Sequence, residues 1–268
     1  LGDEGIAMTP DAQRVVRAAM SESARKGWGR TAVRVVLAIF PVELTCEERI
    51  DACERLLPHV RSVARFAERY EVASENAGTL LNHAGLYIHA CGDPAKAESS
   101  WRRALAFGGG AAGLESEGVA ARLNKLGVVL QSLERLEEAA DCFRRSIDTV
   151  QKLNGGRDAK LAQPLRNLYT VQRALGRWEA MADTCESAII VFAEHFDFDD
   201  PLMAECEDAM GIARTELGDH ESARKHFERA MMSASNAQRQ NPALIAAYRN
   251  HFGQSLLQLR EYEEALSD

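Results

Sequence analysis

The sequence predicts an all-α chain: a solenoid of stacked antiparallel helix pairs over residues 77–268, preceded by a helical linker over residues 1–76. Three observations predict it. A marker residue recurs every forty-two positions, small and large apolar residues follow each marker at fixed offsets, and a turn signal separates the two sets. Such a unit cannot bury its apolar faces alone, so neighbouring units must supply the missing surface.

The linker comes first in the chain and does not carry the period. Thr9 can cap a helix whose first helical position is Pro10, with Ala12, Val15, Val16, Ala19 and Met20 as its apolar stripe. A second helix is expected from about Trp28 to Ile39, with Ala32, Val33, Val35, Val36 and Ile39 facing inward, and Phe40-Pro41 ends it. A third covers about Glu47–Leu57 and a fourth about His59–Tyr70, with Arg55, Arg61, Arg65 and Arg69 on a solvated face.

The periodic part begins at about residue 77. Its markers are Gly85, Gly127, Tyr169, Gly211 and Gly253. Twelve residues after each stand Ala97, Ala139, Met181, Ala223 and Ala265. Sixteen after stand Trp101, Phe143, Cys185 and Phe227, and nineteen after stand Ala104, Ser146, Ala188 and Ala230. The turns read Gly92-Asp93, Glu134-Arg135, Gly176-Arg177, Gly218-Asp219 and Arg260-Glu261. Small residues recur where two helices approach closely, and a large apolar residue fills the space beyond. The third unit departs in a coupled way, because Tyr169 and Met181 stand where two small residues should touch. Either that pair is splayed or Tyr169 turns to the groove. Splaying is favoured, since overpacking costs about 1–3 kcal/mol unless the backbone relaxes. Linkers are expected at Gly108–Gly113, where three glycines suggest a mobile connection, and at Asn154–Asp158, Asp197–Pro201 and Asn236–Pro242.

This pattern resembles the tetratricopeptide repeat (TPR). The family's small residue in the first helix matches Gly85, Gly127, Gly211 and Gly253, its second-helix Ala matches Ala97, Ala139, Ala223 and Ala265, and its later aromatic matches Trp101, Phe143 and Phe227. The forty-two-residue period is similar to the kinesin-light-chain-like variant, with a longer second helix and linker. The expected architecture is a right-handed superhelical TPR solenoid of about five repeats and ten helices, the last repeat truncated at Asp268.

A second resemblance lies in the linker. Met8, Gln13, Val16 and Arg17, then Phe40-Pro41 and Leu56-Leu57-Pro58-His59, are similar to the segment joining a winged-helix module to a TPR array in bacterial STAND-type (NB-ARC-like) signalling ATPases. That family usually opens the segment with Met-His-Arg-Leu-Val-Gln, and the His-Arg-Leu part has no counterpart after Met8. The resemblance implies that residues 1–76 are the tail of a winged-helix module plus a degenerate helical hairpin, with Gly2–Ala7 in the wing. The start, Leu1-Gly2-Asp3-Glu4-Gly5, is neither a signal peptide nor a natural initiator and is expected to be a cut edge of something longer.

Composition narrows the function. Thirty-two Lys and Arg against forty Asp and Glu leave a net charge of −8, which argues against nucleic acid as the main ligand and against a polybasic membrane tether. No apolar run is long enough to span a bilayer. The six cysteines form no Cys-x-x-Cys and read as buried apolar side chains of a reducing cytoplasm. No phosphate-cradling loop, zinc-protease motif or nucleophile elbow is present, so no catalytic residue and no cofactor is expected, and ATP would act only through a domain outside this chain. The seven histidines lack metal-ligand spacing, and Asp197, Asp199 and Asp200 lack the spacing of a calcium loop, so no metal is expected.

First helices of such arrays line the inner groove. Three residues before each marker stand Asn82, Asn124, Arg166, Asp208 and Asn250; two before, His83, Lys125, Asn167, Ala209 and His251; four after, His89, Gln131, Arg173, Thr215 and Leu257. Asn and Gln amides can bond a peptide backbone, and Arg can grip a carboxylate, so Asn82, Asn124, Gln131, Arg166, Arg173 and Asn250 are the candidate ligand residues. The competing expectation is that these side chains bond a neighbouring helix. Residues 120–161 carry eight basic and six acidic groups, residues 162–203 three and seven, and residues 204–245 five and seven. An acidic part of a ligand is therefore expected near Lys125, Arg166 and Arg173, and a positively charged part toward the C-terminal half. Two functional readings follow: the sensor or autoinhibitory region of a STAND-type ATPase in bacterial defence or regulation, or a freestanding adaptor that binds a protein or peptide segment.

Overall fold

The computed structural model describes residues 10–41, 47–70, 72, 75–108, 116–197, 200–236 and 241–267. Among them are twelve α-helices and no strand. The chain forms two compact units, Leu1–Gly113 and Leu114–Asp268.

The first unit contains α1 (Pro10–Ala19), α2 (Glu22–Ile39), α3 (Glu47–Arg69), α4 (Glu75–Ala90) and α5 (Pro94–Gly108). Helix α2 starts six residues earlier than its apolar pattern suggests, because the Ser21 hydroxyl accepts from the Ala24 amide and caps it there. Its inward face is narrower than expected: Val33 and Val36 are buried, whereas Trp28 is 66% exposed and Val35 and Ile39 are also exposed. Val15 and Val16 of α1 are exposed as well. The expected third and fourth helices are one helix, α3, with Pro58 inside it. Pro58 removes a single intrahelical bond, and buried Cys53, Val60, Ala64 and Ala67 on both sides of it hold the helix in one piece. The hairpin α2–α3 also uses the packing device of the later repeats. Gly29 of α2 faces the ring of Phe66 in α3 so closely that a Cβ would overlap it. Thr9, Gly2–Ala7 and most of the Gly108–Gly113 linker lie outside the described residues.

The second unit contains α6 (Glu117–Ser132), α7 (Leu136–Asn154), a 3-10 turn at Ala159–Leu161, α8 (Ala162–Ala174), α9 (Trp178–His195), α10 (Pro201–Glu216), α11 (His220–Asn236) and α12 (Pro242–Ser267). Each helix packs on the next, and α6, α8, α10 and α12 also touch in succession, so the first helices of the repeats form one contiguous face. Helix α7 ends at Asn154 and α11 at Asn236, and α10 and α12 start at Pro201 and Pro242, at the bounds of the expected linkers.

Close approach within each pair is set by the marker glycines. A Cβ on Gly85 would lie 2.9 Å from the Trp101 ring, one on Gly127 2.5 Å from Phe143, and one on Gly211 2.6 Å from Phe227. The second-helix partners Ala97, Ala139 and Ala223 are fully buried. The third pair reaches the same end by exchanging sizes. Tyr169 replaces the glycine, and Cys185 replaces the ring that would have faced it. Tyr169 is only 2% exposed, so it does not turn to the groove, and Met181 and Cys185 are fully buried. A small side chain opposite Tyr169 leaves room for its ring without requiring the backbone to open.

The turns repeat in detail. Gly92, Glu134, Gly176 and Gly218 all have positive φ, at 79°, 59°, 67° and 79°. In each, the amide of that residue and the next reach back to helix carbonyls; Gly176 donates to Arg173 and Arg177 to Gln172, for example. Three of the four are Gly, the residue for which this conformation is free of strain. The expected fifth turn at Arg260-Glu261 does not form, because α12 runs through it to Ser267. No glycine stands there to end the helix, and the two residues are charged helix formers.

Candidate functional site

The first-helix face of the second unit divides into two rows with different fates. Most of the row just before the markers is bonded internally. Asn167 Nδ2 donates to Asn124 Oδ1 at 2.9 Å, from α8 to α6. His251 Nδ1 lies 2.7 Å from Asp208 Oδ1, from α12 to α10. The two links share a separation of forty-three residues, one period plus one. Between them, Arg166 of α8 pairs with Glu205 of α10, its Nε at 2.9 Å and Nη2 at 2.8 Å from Oε2. Ala209 stands where the next partner would be, so Glu205, one turn earlier, takes that place. In the first unit Asn82 accepts from Trp101 Nε1 at 3.1 Å.

Asn124 and Arg166 therefore bond across successive first helices, and Asn82 bonds across its own helix pair. The row after the markers is different. Arg173 of α8 is exposed. It lines a cleft of about 260 Å³ with Thr215 and Glu216 of α10 and His251, Gln254 and Gln258 of α12. Gln131 of α6 is half-buried. Asn250 of α12, the last member of the row before the markers, is exposed. Leu257, at the same offset as Arg173, is 63% exposed. Gln131, Arg173 and Asn250 make no side-chain hydrogen bond or ion pair among the described residues. Amide donors and one cation are thus presented on the first-helix face. The cleft residues Gln254 and Gln258 escaped the sequence reading, although Gln254 follows the Gly253 marker directly and Gln258 lies one turn further on.

Charge in this face is tuned by burial. Burial pushes the Asp208 carboxyl above its ordinary value, against the opposing pull of His251 and Arg173. Lys125 is lowered by burial alone. The Arg166 guanidinium is raised, first by its hydrogen bond to Glu205. Behind the face, Tyr169 is pushed far up by burial, and Tyr248 to about 12 for the same first cause. The Cys206 thiol is pushed up by its contact with Cys185 and by burial, so it stays protonated and packs as an apolar group. Among the described residues no group of three or more His, Cys, Asp or Glu is placed to hold a metal ion, and no helix is long and apolar enough to cross a membrane.

Residues 75–152 and 117–180 match the tetratricopeptide repeat family, which spans α4 to the start of α9. Two solved structures show the fold of the longer stretch. BtubC (BKLC) from P. vanneervenii is similar with a TM-score of 0.63 at 17% identity, over 84% of this chain and 88% of that one. A kinesin light chain with nearly identical TPR-like repeats from Podosopora anserina gives a TM-score of 0.56 at 12% identity, over 81% of this chain and 97% of that one. No curated protein matches the chain in sequence.

Proposed function

We infer that this chain, an α-solenoid of the tetratricopeptide type with kinesin-light-chain-like structural neighbours, is a non-catalytic scaffold that binds a segment of a partner protein. The observation that carries this reading is the split of the first-helix face. The row before the markers is spent mostly on bracing α6, α8, α10 and α12, while its last member Asn250 and, beyond the markers, Gln131 and Arg173 make no side-chain bond among the described residues. Amide groups suit a peptide backbone, and the Arg173 guanidinium suits a carboxylate beside it.

The finer reading is a sensor or autoinhibitory region of a STAND-type signalling ATPase of the bacterial cytoplasm, working in defence or regulation. It is supported by the linker residues Met8, Gln13, Val16, Arg17, Phe40-Pro41 and Leu56-Leu57-Pro58-His59, which resemble that family's junction. ATP would then act through a domain that this chain does not contain. The test is the reading frame upstream of Leu1 together with calorimetry. A phosphate-binding loop and a winged helix upstream, with no ATP binding by the chain itself, are the expected results. A frame without them would leave a freestanding adaptor, and micromolar ATP binding by this chain at a defined stoichiometry would contradict the non-catalytic reading.

A further inference from the structure

We propose that the first unit carries a second binding site, a cleft between α3 and α5 that takes an acidic, partly apolar peptide segment. The cleft has a volume of about 340 Å³. Its floor is apolar: Val60 of α3 and Leu81, Ala84 and Ile88 of α4 are buried beneath it. Its rims are cationic, with Arg61 and Arg65 from α3 and Lys96 and Arg103 from α5. Lys96 pairs with Asp93 at 2.5 Å and Arg103 with Glu68 at 2.7 Å. Arg61 and Arg65 make no ion pair or hydrogen bond among the described residues. Two uncompensated cations therefore face one cleft in a protein of net charge −8.

A second observation points the same way. Arg103 bonds Glu68 through Nε, while its Nη2 is buried without a hydrogen-bond partner. A buried guanidinium nitrogen without an acceptor is costly, and a ligand oxygen would satisfy it once the Arg103 side chain turned toward the cleft. The occupant follows from the chemistry. Arg61 and Arg65 are one helical turn apart, roughly 6 Å, which matches the roughly 6.6 Å between carboxylates two residues apart in an extended segment. The floor calls for an apolar side chain beside them. A single-stranded nucleic acid would need stacking rings, and no aromatic side chain lines this cleft. The site lies on other helices than the Arg173 cleft and does not depend on it.

The test uses the whole chain and three probes: a fluorescent peptide containing Glu-Leu-Glu-Leu-Glu, its Lys-Leu-Lys-Leu-Lys counterpart, and inorganic phosphate as competitor. The acidic peptide should bind, more weakly as salt rises, and the basic one should not. Arg61→Ala/Arg65→Ala should weaken binding at least tenfold, and Arg61→Lys/Arg65→Lys should retain part of it. Thermal melts report that each variant is folded. Absent binding of the acidic peptide, unchanged binding by the folded double-alanine variant, or displacement by phosphate at equal concentration would overturn the proposal.

Discussion

Gly127 lies against the ring of Phe143 so closely that a Cβ added to it would sit 2.5 Å from a ring carbon. The contact explains why a helix-weakening residue occupies the middle of α6. Alanine there would gain about 1 kcal/mol of helix propensity but would have to push a fully buried ring. Gly127→Ala should therefore lower stability by about 1–2 kcal/mol. Gly253 is the control, since nothing lies within 4 Å of its Cβ position. Gly253→Ala should raise stability by up to about 1 kcal/mol. Urea unfolding of both variants checks the opposite signs.

The exchange at Tyr169 and Cys185 predicts a coupling. Tyr169→Gly alone should cost about 3–5 kcal/mol by leaving a cavity, and Cys185→Phe alone about 1–3 kcal/mol by overpacking. Combined, they rebuild the glycine–phenylalanine contact of the sibling repeats. The double variant should be more stable than the sum of the single effects by at least about 1 kcal/mol. A double-mutant cycle measures this directly.

Glu134 holds φ at 59° where its three counterparts are glycine. A non-glycine residue in that conformation costs about 1–2 kcal/mol. Glu134→Gly should raise stability by about 0.5–1 kcal/mol, seen as a higher melting temperature, whereas Gly176→Ala should lower it by a similar amount.

Asp208 predicts a pH dependence. Burial raises its carboxyl above the ordinary 3.8 in the folded chain, so folding favours its protonated form. That contribution is fully present below about 3.8 and is lost as pH rises through the folded value. Asp208→Asn removes the ionisation while keeping an oxygen for His251. Relative to this variant, the wild type should lose stability as pH is raised from 4 toward 7. Chemical unfolding across that range would contradict the account if the wild type gained instead.

The repeat hairpins were legible because their signals are local and periodic. Gly127 and Phe143, or Gly92-Asp93, sit at fixed offsets in one unit. The contact of Gly29 with Phe66 was not legible, because thirty-seven residues separate the two and no sibling repeats that spacing. Pro58 read as a helix end, yet packing on both sides outweighed its one lost hydrogen bond. In the groove, periodicity placed these residues on the first helices but could not tell bracing from binding. Whether Asn124 serves Asn167 or a ligand depends on the register between α6 and α8, which one sequence does not state. Arg61 and Arg65 are exposed, as a solvated face requires; that they also line a cleft emerges only once α3 and α5 flank α4.

The most direct test of the central claim is partner capture by the wild type and by Gln131→Ala/Arg173→Ala, with folding checked by thermal melt. Truncating a guanidinium that a partner buries costs about 2–5 kcal/mol, so the folded variant should capture the partner at least about thirtyfold more weakly. Arg166→Ala should instead act first on stability, because it breaks the bond to Glu205. Unchanged capture by a normally folded Gln131→Ala/Arg173→Ala variant would contradict the placement of the partner on the first-helix face.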